Sequence, residues 1–193
     1  MEKASPQQVS QLIRERRSVF PPMYREQAIP RAILEEALEN ANWAPTHRFT
    51  EPWRFKVFTG AALQSLSDYM GDYYEQHTPP EKFSAVKLKK IRKNPLRAGA
   101  VIAICMQRDP EARVPEWEEI AAVACAVQNI SLSLHAHDIG SYWSSPGIII
   151  KANAFLGLAE GERCLGLLYM GYYDDPGLEG KRSPIGPKVE WRS

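Results

Sequence analysis

The feature of this sequence that most constrains its fold is a long apolar segment over residues 115–138. The run EWEEIAAVACAVQNISLSLHAHD predicts one helix, ended by Gly140, that is apolar on nearly all faces over its middle. A helix of this kind is buried all round, either in a large core or at a subunit interface. It is not a membrane span, because its most apolar part, residues 120–134, contains two amides and is shorter than the ~20 residues required.

Short apolar runs on both sides of this helix predict β-strands. WRFKVF (Trp53–Phe58) alternates apolar and basic residues as a half-buried strand does, whereas GAVIAICM is continuously apolar and fits a buried central strand. Further strands are predicted at SYWSSPGI, at CLGLLYMGYYDDP and, briefly, at VEW in the tail. Other helices are predicted after Ser5 and Pro6, over PRAILEEALENANWA, over residues 61–77 and about 81–93, and over KANAFLGL.

This order of elements predicts an α+β fold, with a central mixed or antiparallel sheet of four to five strands flanked by helices. The chain has 193 residues and no repeats, so we expect a single domain over residues 1–193. The tail is polar, rich in proline and too thin for its own core. It fits either a C-terminal arm that extends to a partner subunit or a frayed end.

Composition excludes several classes of partner. The 24 Lys and Arg residues nearly balance the 23 Asp and Glu residues, so no global field attracts nucleic acid or an anionic membrane, and local arginines must hold any bound anion. The polar N-terminus lacks the apolar core of a signal peptide. Cys105, Cys125 and Cys164 have no CxxC spacing and predict reduced core residues of a soluble, cytoplasmic protein, not a disulfide frame or a zinc site.

The first candidate site is RERRS, residues 14–18. Arg16 and Arg17 offer forked donors that match phosphate oxygens, and Ser18 adds a hydroxyl. The alternative is a solvated basic helix end that complements the helix dipole. Short charge runs are usually solvated, which favours this alternative for the motif taken alone.

The second candidate is the loop in the middle of ANWAPTHRFTEPWRFKVF. In a binding site, His47 and Arg48 would point donors at a ligand that Trp43, Phe49 and Trp53 enclose. In the alternative, the two prolines shape a helix-to-strand corner and the aromatic side chains fill the core. The sequence leaves these two interpretations evenly balanced.

Two further candidates lie near the C-terminus. In WSSPG, Trp143, Ser144 and Ser145 could bind a polar ring edge or a phosphate, although a plain Ser-Pro-Gly turn is the alternative. In KRS, Lys181 and Arg182 give a second phosphate contact if the tail folds back, and are otherwise part of a charged loop.

Common catalytic motifs are missing from the sequence. His135 and His137 lie two residues apart on a helix and face different ways, so they cannot share a metal. There is no GxGxxG after a strand, no GxxxxGK[ST] loop and no GxSxG. We therefore assign no catalytic side chain and no metal ligand, and the recurring Arg, Ser, His and Trp suit chemistry carried by a bound cofactor.

Four motifs, taken in order, resemble the nitroreductase family of flavin enzymes, in particular its small single-domain bacterial branch. They are RERRSV, APTHRFTEPWRF after the second helix, GSYWSSP after the long helix, and CLGLLYMGYYDDP followed by KRS and VEW. The resemblance covers nearly the whole chain. Arg-Arg-Ser and the Ala-Pro…Pro-Trp loop are its most specific marks.

The resemblance implies non-covalently bound FMN in a homodimer whose two sites lie at the subunit interface, with the C-terminal segment crossing to the partner. Arg-Arg-Ser would hold the flavin phosphate and polar ring edge, and the loop after the second helix would contact the cofactor, often from the other subunit. The implied cofactor contacts are Arg16, Arg17, Ser18, Trp43, His47, Arg48, Trp143, Ser144, Ser145, Lys181 and Arg182.

The activity implied by the resemblance is a ping-pong reaction. NADH or NADPH would deliver a hydride and leave, and a flat electron-poor small molecule, such as a nitroaromatic or a quinone, would take the electrons in the same space. Phe20, Phe49 and Glu51 stand where many relatives have a cation, Asn and Gln, so Arg48 or Arg17 would have to stabilise the reduced flavin. Two alternatives stay open: a reductase specialised for one metabolite, and a flavin-binding sensor or carrier without significant turnover.

Overall fold

Seven α-helices and four β-strands make up the regular structure of residues 3–174, 177 and 179–193, the part of the chain that the computed structural model describes. The helices are α1 Pro6–Glu15, α2 Arg31–Asn42, α3 Ala61–His77, α4 Ala85–Arg97, α5 Glu116–Ala136, α6 Gly147–Ile150 and α7 Asn153–Leu156. The strands are β1 Trp53–Phe58, β2 Ala100–Gln107, β3 Ile139–Ser144 and β4 Glu162–Tyr172.

Local capping signals set where the helices begin. The Ser5 hydroxyl accepts from Gln8 N, and the Gln8 side chain accepts from Ser5 N, which forms a capping box at the predicted start of α1. The helix predicted over about 81–93 instead begins at residue 85, because the Ser84 side chain accepts from Lys87 N and caps it there. The predicted bounds of β1 are confirmed.

The four strands form one antiparallel sheet in the order β1-β2-β4-β3. The predicted α+β class and its antiparallel alternative are confirmed, since a parallel pairing occurs only as one isolated bridge between Ser18 and Ser141 in the described residues. β2 and β4 lie at the centre of the sheet and carry the most continuously apolar runs. This follows because both faces of a central strand are covered.

Alternate residues of the central strands feed two cores, one on each face of the sheet. On one face, Ile102 and Leu168 pack with the buried sides of α2 and α5. On the other, Val101 and Leu167 pack with residues from α3, α6 and α7. The sheet is therefore a middle layer, and α5 lies directly against it.

Helix α5 is buried on one side only within the chain. Its buried side includes Val123, Val127 and Ile130, whereas a stripe on the opposite side, Trp117, Ile120, Ala121, Ala124, Cys125 and Gln128, is exposed. The prediction of complete burial in the chain's own core is therefore wrong, and so is the prediction of a core position for Cys125. One side of the apolar middle of α5 therefore packs in the core, and the other side faces solvent within the single chain.

The end of α5 also differs from the prediction. The helix stops at Ala136, and Asp138 takes the left-handed conformation with φ 57°, so Gly140 is not the terminator. Gly140 lies inside β3, where an added Cβ would come within 2.6 Å of the Val19 Cβ atom. The glycine is required by this close approach of a neighbouring segment.

The C-terminal tail lies on the surface. Residues 179–193 are exposed, the predicted strand at VEW is replaced by irregular chain after the short 3-10 helix Gly186–Lys188, and Trp191 is 92% exposed. Asp175 and Pro176, the end of the CLGLLYMGYYDDP motif, lie outside the described residues. No helix within the described ranges is long and apolar enough to cross a membrane.

A buried carboxylate fixes the first turns of α5. Glu119 is 1% exposed, accepts from the amide of Asp109 at 2.8 Å and pairs with the guanidinium of Arg108. Arg108 also donates to the Val114 carbonyl at 2.7 Å, so this network joins the end of β2 to the start of α5. A buried charge is tolerated only when it is paired and hydrogen-bonded in this way.

Replacing Glu119 should destabilise the protein strongly. We expect Glu119→Ala to lower the free energy of unfolding by about 3 kcal/mol, because a buried cation and an amide lose their acceptor. Urea denaturation at a fixed protein concentration measures this. Glu111→Ala, which removes an exposed carboxylate 3.6 Å from Arg113, should change it by less than about 1 kcal/mol. Equal losses in the two variants would contradict a structural role for Glu119.

Candidate functional site

The chain leaving α1 runs along the edge of β3. The amide of Val19 donates to the carbonyl of Ser141 at 3.0 Å, and Ser18 bridges to Ser141. The side chains just before this contact, those of Arg16 and Arg17, therefore lie beside the edge strand of the sheet. The Arg16 and Ser18 side chains line a cleft together with Ser141, Trp143 and Leu168 of the sheet and Ala124, Val127, Gln128 and Ser131 of α5.

A cluster of arginines continues from this cleft. Arg14, Arg16, Arg17 and Arg182 line an adjoining cavity with Ile13 and Gly180, and no acidic side chain from the described residues lines it. Burial, followed by the nearby charges of Arg182 and Arg17, lowers the pKa of Arg16. Like charges so close together repel, and an anion bound among them would remove that repulsion.

The same cluster contains unsatisfied donors. The Nε atoms of Arg16 and Arg17 are buried and have no hydrogen-bond partner in the described part of the chain. Unpartnered buried donors are uncommon in folded proteins, and water or a bound ion usually satisfies them. Arg163 Nε is also unpartnered in the described residues, but it does not line this cavity, where several cations meet. A phosphate has the charge and the acceptor oxygens that both guanidinium groups lack, so the site fits the phosphate of FMN.

Arg17 also connects two segments of the chain. Its guanidinium donates to the carbonyls of Arg14 and Arg16, and an added Cβ at Gly180 would lie 2.6 Å from its Cζ atom. The C-terminal tail therefore passes directly over Arg17. This passage brings Arg182 to the lining of the cavity, which Lys181 does not join, and both residues are exposed.

Trp143 is held in place by an irregularity in β4. Its Nε1 donates to the carbonyl of Leu165 at 3.4 Å, and Gly166 beside it has φ 143°. A Cβ at Gly166 would lie 2.6 Å from the Trp143 Nε1 atom. Ser144 ends β3 and is half-buried, and Ser145 is exposed. Of the WSSPG residues, the Trp143 side chain is the one that lines the cleft.

The loop after α2 is a strained turn at the other end of α5. Residues 47–49 form a 3-10 turn, and Arg48, Phe49 and Glu51 have positive φ angles of 53°, 53° and 41°. His47 Nδ1 lies 2.6 Å from a carboxylate oxygen of Glu118, and Thr46 Oγ1 accepts from the amide of Glu51 at 3.1 Å. The turn is therefore fixed by hydrogen bonds within the chain.

The aromatic side chains of this loop do not all fill the core. Trp53 is buried, as the packing interpretation expects, and its Nε1 donates to Asn42 Oδ1 at 3.1 Å. Trp43 is 79% exposed and Phe49 is 87% exposed. The packing interpretation therefore holds for Trp53 and fails for Trp43 and Phe49, whose rings stand in solvent, and the ligand-binding interpretation stays a prediction.

Within one chain, the loop and the arginine cleft lie apart. The loop contacts α5 at Glu118, whereas the cleft meets α5 from Ala124 onwards, six residues or about 9 Å further along the helix. None of Trp43, His47 and Arg48 lines the cleft that Arg16, Ser18 and Trp143 share within the described part of the chain. The exposed apolar stripe of α5 occupies the interval between them.

Several polar residues of the cleft were missed by the sequence analysis. Gln128 and Ser131 line it from α5, and Ser141 lines it from β3. Their signal was present, because Gln128 and Ser131 lie three residues apart in an otherwise apolar helix and so share a face. Glu118, the partner of His47, has no signal of its own among the neighbouring acidic residues.

Comparisons with known proteins identify relatives along most of the chain. The Bacillus subtilis protein "Putative NAD(P)H nitroreductase YfhC" is 28% identical over 177 residues, which cover 90% of this chain and 89% of that protein. The Escherichia coli K12 protein "Putative NAD(P)H nitroreductase YdjA" is 27% identical over 141 residues, 72% of this chain and 74% of that protein.

Solved structures show the same fold. The nitroreductase-like family protein from Bacillus cereus superposes with a TM-score of 0.80 at 28% identity, covering 100% of this chain and 98% of that one. The FMN-dependent nitroreductase NfnB from Mycobacterium smegmatis, in complex with NADPH, gives 0.78 at 18% identity, over 97% and 99% of the two chains. The model of the Nitroreductase family matches residues 13–172, so this chain belongs to the nitroreductase family.

Proposed function

We propose that this protein is an FMN-dependent oxidoreductase that transfers electrons from NADH or NADPH to a flat, electron-poor small molecule such as a nitroaromatic or a quinone. The observation that carries the proposal is the arginine cluster with two buried, unpartnered Nε atoms beside the Trp143 cleft. The printed names of the relatives support it, since two are called NAD(P)H nitroreductases and a neighbour of the same fold is FMN-dependent.

Each side chain has a distinct part in this proposal. Arg16, Arg17 and Arg182 bind the phosphate, with Ser18 as a further donor, and Arg17 also packs against the tail at Gly180. Trp143 provides an apolar wall for the flat flavin ring. Ser144 and Ser145 follow it in the chain and would lie near the polar edge of that ring. Lys181 contributes charge from the exposed side.

Bound FMN supplies the two-electron chemistry, and the protein supplies position and charge. The ping-pong order follows if donor and acceptor use one space in turn. A cation near the ring stabilises the negative charge that reduction adds. Phe20, which stands where many relatives have a cation, carries no charge and packs against Tyr142 in a tilted arrangement with 4.5 Å between the ring centroids. We therefore propose Arg48 as the cation that stabilises the reduced flavin.

We further propose that the site is completed in a homodimer. Pairing two α5 helices antiparallel across a two-fold axis near Ala121 and Ala124 would bury the exposed stripe of both. It would also place the Glu118 end of one helix beside the Gln128 end of the other. The loop with Trp43, His47 and Arg48 from one copy would then face the arginine cleft of the second.

The C-terminal tail supports the same assembly. Its exposed apolar side chains, Ile185, Val189 and Trp191, have little to pack on within the chain. A second copy of the single domain proposed for residues 1–193 gives them a surface, and we propose that the tail extends to it. A cytoplasmic location belongs to the same proposal, because NADH and NADPH are reductants of the cell interior.

A reductase for one metabolite is a second candidate that the loop favours. Phe49 is exposed on a strained backbone and, in the proposed dimer, would face the space above the ring. An aromatic side chain there restricts which acceptors fit.

Arg16 should be required for tight FMN binding. We expect Arg16→Ala to raise the FMN dissociation constant tenfold to a hundredfold, because losing a charged hydrogen bond costs about 1.5–3 kcal/mol. The dissociation constant of Arg16→Lys should lie between those of the wild type and Arg16→Ala. Titration of the apoprotein by flavin fluorescence measures this. Arg31→Ala, at an exposed arginine of α2, is the matched control and should bind FMN as the wild type does. Unchanged affinity in Arg16→Ala would contradict the phosphate site.

Ala121 should be required for both dimerisation and cofactor binding. Ala121→Arg places a charge in the proposed interface, and we expect sedimentation velocity to show a monomer with at least tenfold weaker FMN binding. Val86→Arg, on the exposed side of α4, should remain a dimer with normal FMN binding. A dimeric Ala121→Arg protein would contradict the proposed α5 interface, and a monomer with wild-type FMN affinity would show that the loop of a second copy is not needed.

The purified protein should carry a flavin absorption spectrum that NADH or NADPH bleaches anaerobically. Adding a quinone or a nitroaromatic should then restore the spectrum, which follows if one space serves both substrates. A colourless protein that takes up no FMN overturns the proposed function. Retained flavin that neither nicotinamide bleaches indicates a sensor or carrier, and bleaching with feeble turnover across a panel of acceptors indicates a specialised reductase.

A further inference from the structure

Two buried cysteines face each other across the centre of the sheet. Cys105 of β2 is the register partner of Cys164 of β4. Both side chains belong to the same core and are 0% and 1% exposed. Cys125 lies on the exposed stripe of α5, and the proposed flavin site uses none of the three thiols.

A β-bulge produces this alignment. Ile104 pairs with Gly166, but the next residue, Cys105, pairs with Cys164, so Leu165 is an extra residue on β4. In a regular antiparallel ladder Cys105 would face Leu165, and Cys164 would lie one position further along. The bulge therefore brings the two sulfur atoms to the same face and the same position.

The geometry of the pair suits a disulfide. Directly opposed residues of antiparallel strands have Cα atoms about 4.5–5.5 Å apart, which lies within the range of about 4.4–6.8 Å found for disulfides. The hydrogen bond to Cys164, together with burial, raises the pKa of the Cys105 thiol. The interaction with Cys105 lowers the pKa of the Cys164 thiol. Cys164 also lies on the bulged strand, where the ladder is disrupted, so we assign it as the attacking thiol.

We propose that Cys105 and Cys164 form a reversible redox pair that a small hydroperoxide oxidises to an intrachain disulfide. This inference goes beyond the proposed function and does not require FMN or a dimer. The register pairing of two buried thiols at the bulge carries it. Disulfides in cytosolic proteins are usually transient and redox-sensing, which agrees with a reversible pair.

The oxidation balances with hydrogen peroxide as the oxidant. The Cys164 thiolate attacks one peroxide oxygen, the O–O bond breaks, and the departing hydroxide takes the proton released by Cys164 and becomes water. The Cys105 sulfur then attacks the Cys164 sulfenic acid. The S–S bond forms, the S–O bond breaks, and the second hydroxide leaves as water with the Cys105 proton. Two thiols lose two electrons in total, and one peroxide becomes two waters.

Access to the pair is through the start of β4. Cys164 lies two residues after Glu162, the first residue of the strand. Glu162 and Lys56 are close enough for their charges to act on Cys105, and Lys56 is partly exposed. Opening of this strand end admits a molecule as small as hydrogen peroxide, because strand ends open more readily than strand centres.

The bulge also connects the pair to the cleft. The extra residue, Leu165, accepts the hydrogen bond from Trp143 Nε1, and Gly166 next to it packs against the same indole. A disulfide at Cys164 constrains the backbone of this bulge. Oxidation is therefore expected to change the surroundings of Trp143, a residue that lines the cleft.

Peptide mapping after peroxide treatment tests the proposal. The purified holoprotein is incubated with hydrogen peroxide under native conditions. It is then denatured in the presence of N-ethylmaleimide, which blocks the remaining thiols, and digested. We expect most molecules to yield a linked peptide containing Cys105 and Cys164, and dithiothreitol to remove the link. Cys125→Ala should give the same link, because the exposed thiol takes no part. Maleimide on Cys105 and Cys164, with oxidation confined to Cys125, would overturn the proposal.

Single cysteine variants test the order of the steps. In Cys105→Ala, dimedone should trap a sulfenic acid on Cys164, whereas in Cys164→Ala, Cys105 should stay unlabelled. Labelling of Cys105 alone would contradict the assigned nucleophile. Peroxide should also shift the tryptophan emission of the Cys125→Ala protein, and the added change Trp143→Phe should abolish that shift. An equal shift without Trp143 would show that the bulge does not transmit the oxidation.

Discussion

The hydrogen bond from Val19 to Ser141 is the contact on which the arginine cleft depends. It fixes the segment after α1 against the edge of β3, and Gly140 leaves room for the Val19 side chain. Arg16 and Ser18 therefore enter the same cleft as Trp143. A slip of one residue along β3 would turn alternate side chains to the opposite side, so the proposed phosphate site depends on the register of this single contact.

Helix α5 relates the other parts of the molecule to one another. Glu119 anchors its first turns, Glu118 holds the loop through His47, and Gln128 faces the arginine cleft. Because α5 is a rigid rod, the spacing of these groups does not vary. Its exposed stripe extends along the helix between the loop and the cleft, and in the proposed homodimer this one surface would serve both for assembly and for bringing together the two halves of the proposed site.

Local sequence signals were sufficient to predict most helices and strands, but they were insufficient to predict which sides of those elements are buried. The bounds of β1 and the capped start of α1 follow from alternation and from Ser5 and Pro6, which act over a few residues. The exposed side of α5 and of Cys125 could not be predicted, because alanine and cysteine fit equally well in a core and at an interface. The arginine motif taken alone favoured a solvated helix end, because the burial of its donors depends on contacts with the distant tail, and only its resemblance to a family favoured a cofactor contact.

The positive φ angles of Arg48, Phe49 and Glu51 have a further consequence. Each non-glycine residue in this region costs about 1–3 kcal/mol, so the turn is maintained by its hydrogen bonds and its two prolines against a considerable conformational preference. The cost of ordering the loop is met when the chain folds, and a second copy or a ligand that contacts it loses little further entropy. In the proposed dimer the loop would act as a preorganised recognition element, and relaxing its backbone with glycine would raise stability at the expense of binding affinity.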